Sequence, residues 1–175
     1  FMLRNNITEY GLIAKIFHWA TFLFFIIQIH FGFYISDLEF SVERMNFENY
    51  HNIGGIIIFY VVLARLIWKF FNPSPKNNST VIWQVLLAKL NHFLLYLFVI
   101  VIVISGVLKK FFIEEPVNML FFNLQSSKTI FKLSDIFNEL HEVGVVILIG
   151  LILLHVFAVI YHHVFLKDKI LKKIL

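Results

Sequence analysis

Four runs of mostly apolar residues constrain this chain more than any other feature of its sequence. A helix crossing a bilayer needs about 20 consecutive, predominantly apolar residues, and such runs cover roughly residues 16–36, 50–70, 85–108 and 141–165. Each ends at a charge or a helix breaker: Asp37, Pro73 with Pro75, Lys109 with Lys110, and Lys167. The expected fold is therefore all-α, an integral membrane four-helix bundle with up-down topology, forming a single membrane domain over residues 1–175. Composition agrees, since 59% of the residues are hydrophobic and 15% are charged, whereas a soluble globule is about 25% charged. With no cysteine, disulfides, iron–sulfur clusters and thiol catalysis are excluded.

The first apolar run is too long, and too poorly followed by small residues, to read as a cleaved signal peptide. Phe1 precedes Met2 and is set aside as lying before the native start. The abundance of Phe, 22 residues, reflects coding bias more than function, and no internal repeat stands out. Residues 72–80 read as a short polar turn. Residues 109–140 read as a longer connection, in which Phe111, Phe112, Phe121 and Phe122 suggest a segment lying on the membrane surface.

Four spans put both termini on one side. That side carries Arg4, Lys15, Arg65, Lys69, Lys76, Lys89, Lys167, Lys169, Lys172 and Lys173, ten bases, against five on the other: Arg44, Lys109, Lys110, Lys128 and Lys132. The positive-inside rule then places both termini of this multi-pass membrane protein in the cytoplasm. Nine of the eleven acids fall outside, all but Glu9 and Asp168.

Eight histidines in so apolar a chain require a reason, because ionisable residues within a span are costly and usually functional. His141 and His155 are 14 residues apart on the fourth span, about 40° short of four full turns, so they share a face and are separated by a rise of about 21 Å. They are too far apart to share one metal and suitably placed for two stacked haems. Depth supplies the second ligands. His18, near the cytoplasmic start of the first span, matches His155. His51, opening the second span at the outer face, matches His141.

Nearby residues fit a flat macrocycle. Gly54 and Gly55 follow His51 by one turn and Gly144 follows His141, leaving room for a haem edge or serving as close-packing sites. Arg65 lies 14 residues after His51, where it either pairs with propionates of the cytoplasmic haem or snorkels to the surface. His92 opens the third span and either contacts a propionate or replaces His18 as ligand. His162 stands at the cytoplasmic boundary, as a quinone contact, a proton relay or an interfacial polar residue. His30 faces elsewhere and reads as a packing residue, and His163 as solvated. Zinc competes as the bound metal but needs a third and fourth donor nearby.

Several motifs together resemble the bacterial cytochrome b561 family of four-helix di-haem membrane cytochromes: Ile16-Phe17-His18-Trp19, His51 with its glycines and Arg65, Leu90-Asn91-His92-Phe93 with Tyr96, His141-Glu142, and Leu154-His155 followed by His162-His163-Val164-Phe165. The resemblance spans nearly the whole chain and implies a place in a bacterial inner membrane. It implies two haem b groups with His18, His51, His141 and His155 as axial ligands, and a quinone contact near the His162-His163 doublet. It also implies electron transfer between a membrane quinone, such as ubiquinone, and a reactant at the outer face. One branch of the family resembles a superoxide oxidase, which passes the electron of superoxide to ubiquinone. The alternative is a relay subunit serving a periplasmic redox protein. The outer loops depart from the electropositive pattern that would draw in an anion, with nine acids against five bases. The lipid bilayer is an expected partner and nucleic acid is not.

Overall fold

A computed structural model describes residues 2–75, 81–168 and 170–175. Four helices dominate it: α1 (Leu12–Asp37), α2 (Val42–Phe71), α3 (Ile82–Phe111) and α4 (Phe131–Val164). Each is long and apolar enough to cross a membrane. A two-stranded antiparallel hairpin, β1 (Val117–Asn118) and β2 (Asn123–Leu124), lies between α3 and α4. A 3-10 turn at Leu171–Lys173 follows α4. Lys76 and Lys169, two of the ten bases counted above, lie outside the described residues, as does the stretch 76–80 of the expected polar turn.

The four spans alternate in direction, and the two ends of the chain meet. Tyr10 donates its backbone N–H to the Lys173 carbonyl at 3.1 Å, and the Trp19 indole donates to the Ile174 carbonyl at 3.1 Å. This end of the bundle is called terminal below, and the opposite end distal.

The helices outrun the apolar runs at the distal end, for a physical reason. Hydropathy detects only the portion that lipid would cover, while helical hydrogen bonding continues through any residue of adequate propensity. α2 begins at Val42, capped by the Ser41 hydroxyl, which accepts from the Arg44 N–H at 3.2 Å. Its first two turns carry Glu43, Arg44 and Glu48, with Arg44 paired to Glu48 at 3.0 Å. α4 begins at Phe131, ten residues before His141. That polar overhang is tied to α3: the Ser134 hydroxyl donates to the Lys109 carbonyl at 2.8 Å, and the Lys109 ammonium donates to Asn138 Oδ1 at 3.1 Å. His51 and His141 therefore sit more than two turns inside their helices instead of opening them. The long distal connection shrinks to residues 112–130, folded around the hairpin.

α1 packs mainly on α2 and α3 mainly on α4, and the two helical pairs meet chiefly along α2 and α3. The innermost cluster is Ile58 and Val62 of α2, Val99 and Ile102 of α3, and Leu148 of α4, with Phe24 and Phe25 of α1 against it. Leu148 lies midway between His141 and His155, so an apolar plug separates two histidine layers along the bundle axis. Many remaining large apolar side chains point outward, among them Leu23, Ile26, Phe70, Phe93, Val146 and Phe157, as expected where acyl chains replace water as the solvent.

Candidate haem sites

Each end of the bundle holds a pair of facing imidazoles, contributed across the seam between the two helical pairs. At the terminal end, His18 of α1 faces His155 of α4, with ring centroids 6.3 Å apart and planes inclined by 56°. At the distal end, His51 of α2 faces His141 of α4 at 6.2 Å, inclined by 74°. The spacing has chemical meaning. A metal–imidazole nitrogen bond is about 2 Å long, so two imidazoles on opposite sides of one metal hold their nitrogens about 4 Å apart and their centroids about 6 Å apart. Both pairs match this separation. Among the described residues, no three His, Cys, Asp or Glu side chains gather as a metal cluster, so the third and fourth donors of a closed zinc site are lacking.

The hydrogen bonds of the rings decide which nitrogens are free. His141 Nδ1 lies 2.8 Å from the Ile102 carbonyl. A carbonyl only accepts, so Nδ1 carries the proton and Nε2 keeps its lone pair for a metal, the usual arrangement of a ligating histidine. His51 Nδ1 is buried without a hydrogen bond of good geometry. His18 is held differently. Arg65 donates to its Nδ1 at 3.0 Å; guanidinium has no acceptor, so the neutral ring carries its proton on Nε2. Ligation through Nε2 requires Arg65 to release Nδ1. The same guanidinium lies 5.6 Å from the Tyr96 ring centre, and the Lys69 ammonium 5.2 Å from it. Arg65 is thus turned into the terminal imidazole layer and does not snorkel outward.

Glycines bear on the pairs unevenly. A Cβ added at Gly55 would meet nothing within 4 Å, which leaves space on that face of α2. Gly54 instead packs on the Gln28 side chain, and Gly144 on Ile102, where a Cβ would lie 2.9 Å from Cγ1. These two are close-packing positions. Sequence reasoning missed Gly106 and Gly32. A Cβ at Gly106 would lie 3.1 Å from His141 Nδ1, and one at Gly32 would lie 3.5 Å from His51 Cε1. Both stand across a helix–helix contact from the imidazole they accommodate, so no spacing rule along one helix exposes them.

The other singled-out residues fall in distinct places. His92 is exposed, with its ring 5.1 Å from that of His155 and its Nδ1 donating to the Ala88 carbonyl at 2.7 Å. It joins the terminal layer closer to His155 than His18 is, at a separation shorter than two imidazoles need across one metal. His162 Nδ1 lies 2.5 Å from Asp168 Oδ2, and Asp168 Oδ1 accepts from the Ile170 N–H at 3.2 Å, so His162 anchors the C-terminal segment. His30 stacks on Tyr34 with centroids 6.5 Å apart, and His163 is exposed. At the distal end, Lys110 is paired with Glu115 at 2.7 Å. Its neighbour Lys109 donates to Asn138 Oδ1 at 3.1 Å, three residues before His141 on α4.

The family model for prokaryotic cytochrome b561 matches residues 9–175. The chain belongs to this family. It is accordingly a multi-pass membrane protein that binds b-type haem and serves in electron transfer. A search of curated proteins finds no match to it. All the histidines described above fall within the matched span.

Proposed function

We propose that this cytochrome holds two haem b groups, one between His18 and His155 and one between His51 and His141, and works as a superoxide:ubiquinone oxidoreductase of the bacterial inner membrane. The observation that carries the reading is the pair of facing imidazoles at each end of the bundle, 6.3 and 6.2 Å between centroids. When bound, b-type haem would supply one-electron chemistry, and the imidazoles of His18 with His155 and of His51 with His141 are the residues that would hold it. The protein's part is placement. α4 contributes one ligand to each layer, about 21 Å apart. Ile102 orients His141. Arg65, once released from His18, is available to a propionate, and so is the exposed His92.

The terminal end is the cytoplasmic one in this proposal, on the excess of Lys and Arg there. The overall reaction takes one electron from each of two superoxide ions, releasing two molecules of oxygen, and delivers both electrons with two protons to one ubiquinone. Lys109, beside the distal imidazoles, is the cation best placed to attract the anion. Quinone is accepted at the cytoplasmic side, with His162 as the candidate contact through its remaining nitrogen. The test is stopped-flow mixing of purified protein with enzymatically generated superoxide, followed by quinone. Haem reduction faster than spontaneous dismutation, then reoxidation by quinone, is expected.

A second reading draws on the distal overhangs, where Glu43, Glu48, Asp135 and Glu139 outnumber Arg44 and Lys132. An acidic platform suits a basic periplasmic redox protein, for which this chain would be the relay subunit. Absence of haem reduction by superoxide in the same experiment selects it.

A further inference from the structure

The hairpin between α3 and α4 does not stay at the end of the bundle. Its turn meets α2 at Tyr60, whose hydroxyl donates to the Met119 carbonyl at 3.1 Å and whose ring lies 5.4 Å from that of Phe121. Tyr60 is nine residues further along α2 than His51, about 13 Å closer to the terminal end. A helical side chain leans toward the helix N-terminus, here the distal direction. Allowing it one full turn, about 5.4 Å, the hairpin tip still lies about 8 Å below the distal imidazole layer. The nearest charged residues of α2 on either side of this contact are Glu48 and Arg65, so the tip stands beside the uncharged stretch of the span.

We propose that the tip, residues 119–122, is re-entrant: it lies in the hydrocarbon of the bilayer against the flank of α2, with acyl chains as its partner, and not on the membrane surface. Backbone that leaves a helix at such depth is costly wherever its polar groups lack partners, and four polar groups of this turn are bonded within the protein. The Met119 N–H donates to the Phe122 carbonyl at 2.9 Å, the Leu120 N–H to Asn118 Oδ1 at 2.8 Å, and the Met119 carbonyl accepts from Tyr60. The side chains divide accordingly. Leu120, Phe121 and Phe122 are 45%, 81% and 54% exposed, while Val117 is buried at 4% where β1 packs against α3. The base is polar: Lys110 pairs with Glu115, Gln125 donates to the Glu114 carbonyl, and Thr129 donates to the Glu114 carboxylate. The exposed Asn123 marks the upper edge of the tip and limits insertion to the turn itself. The hairpin thereby covers part of α2 on the side facing α3 and is latched there by one tyrosine hydroxyl.

The chain has no cysteine, so single cysteines can be placed cleanly in the full-length haem-loaded protein in liposomes. A nitroxide attached at Phe121→Cys, or at Phe122→Cys should the first variant lose haem, is compared with one at Ser126→Cys. Power-saturation spectroscopy is expected to show the tip label at least about threefold more accessible to oxygen than to a water-soluble nickel chelate, with the order reversed at residue 126. Equal access to the chelate at both positions would place the hairpin in water and overturn the proposal. A tip label shielded from both reagents would also overturn it, by showing a protein partner there. Tyr60→Phe is expected to raise the mobility of the tip label while the haem spectrum stays unchanged; unchanged mobility would remove the latch.

Discussion

The Nδ1 of His141 donates to the backbone carbonyl of Ile102 across the α3–α4 contact, 2.8 Å away. One hydrogen bond between two helices thus sets the tautomer and holds the ring at the distal layer, 6.2 Å from that of His51 between centroids. Gly106, one turn further along α3, keeps space for the ring. A helix that both orients and accommodates an imidazole is a support whose loss should resemble loss of the ligand.

This leads to a prediction for Gly106→Val. The added Cβ would stand 3.1 Å from Nδ1 and 3.2 Å from Cε1 of His141, and the ring must rotate away. Disturbing the groups that orient a metal ligand typically costs about 10–100-fold in affinity. The variant should lose haem at the distal site and keep it at the terminal one, read as about half the haem per chain in a pyridine haemochrome assay. Full haem content would show that the ring position tolerates the methyl groups.

Direct removal of ligands sets the scale. His51→Ala or His141→Ala should each abolish the distal haem, and His18→Ala or His155→Ala the terminal one, each leaving about half the normal content by the same assay. Two haems per chain in any of these variants would show that the depth-matched pairing is wrong. Because His92 lies only 5.1 Å from His155, His18→Ala is the informative case. A retained but spectrally altered terminal haem in that variant, lost again on adding His92→Ala, would identify His92 as a substitute ligand.

How far these residues could be read from sequence follows from what a sequence encodes. The four spans are legible because apolar length is a one-dimensional property. The depth match of His18 with His155 and of His51 with His141 is legible because antiparallel helices convert residue number into depth. The distal overhangs of α2 and α4 are not, since Glu43, Arg44, Lys132 and Asp135 look like loop to any hydropathy measure although they continue a helix. Nor is the hairpin, whose strands, Val117–Asn118 and Asn123–Leu124, are too short for alternation to register. Arg65 was singled out by periodicity, but its bond to His18 depends on how α1 and α2 rotate against each other, and no residue spacing along one helix states that.

Arg65 gives a third prediction. In the arrangement described, the guanidinium occupies the Nδ1 of His18. Arg65→Ala frees that nitrogen but removes a cation from the terminal haem layer. A buried positive charge favours the reduced, less positive state of a neighbouring redox centre. The variant should therefore keep its haems and show a lower midpoint potential for the terminal one in a redox titration monitored by absorbance, with the distal haem unmoved. An unchanged potential would place Arg65 outside the influence of that haem.

Topology can be tested independently of any cofactor. The ten bases that the order of spans in the sequence assigns to the side of the termini motivate a reporter active only in the periplasm. Fused after Leu175 it should be silent, and inserted beside Ser126 it should be active. The opposite pattern would exchange the sides given to the two haem layers and move the quinone and the aqueous reactant with them.

The last prediction separates two lysines that are adjacent in sequence and unlike in structure. Lys110 is neutralised by Glu115 at 2.7 Å. Lys109 donates to the neutral amide of Asn138, three residues before His141 on α4, and that amide in turn donates to the Glu142 carboxylate. An approaching superoxide ion would be attracted more by the lysine that has no direct ion pair than by the one paired with Glu115. The surrounding acids oppose its approach, so the effect of Lys109 should be greatest at low ionic strength and fade as the screening length shortens to about 8 Å near 0.15 M salt. Lys109→Gln is expected to slow haem reduction by superoxide about threefold or more at low salt, while reoxidation by quinone is unchanged. Lys110→Gln should have a smaller effect. Stopped-flow traces with the two variants, each at low and physiological salt, decide the matter. If both lysines matter equally, the local ion pairing does not govern the approach. If neither matters while superoxide still reduces the haem, the reactant reaches the distal layer by a route that Lys109 does not guard. A basic redox protein, by contrast, should react faster when Lys109 is neutralised, because the distal face then becomes more acidic. The sign of the Lys109→Gln effect with each donor therefore discriminates the oxidase from the relay subunit.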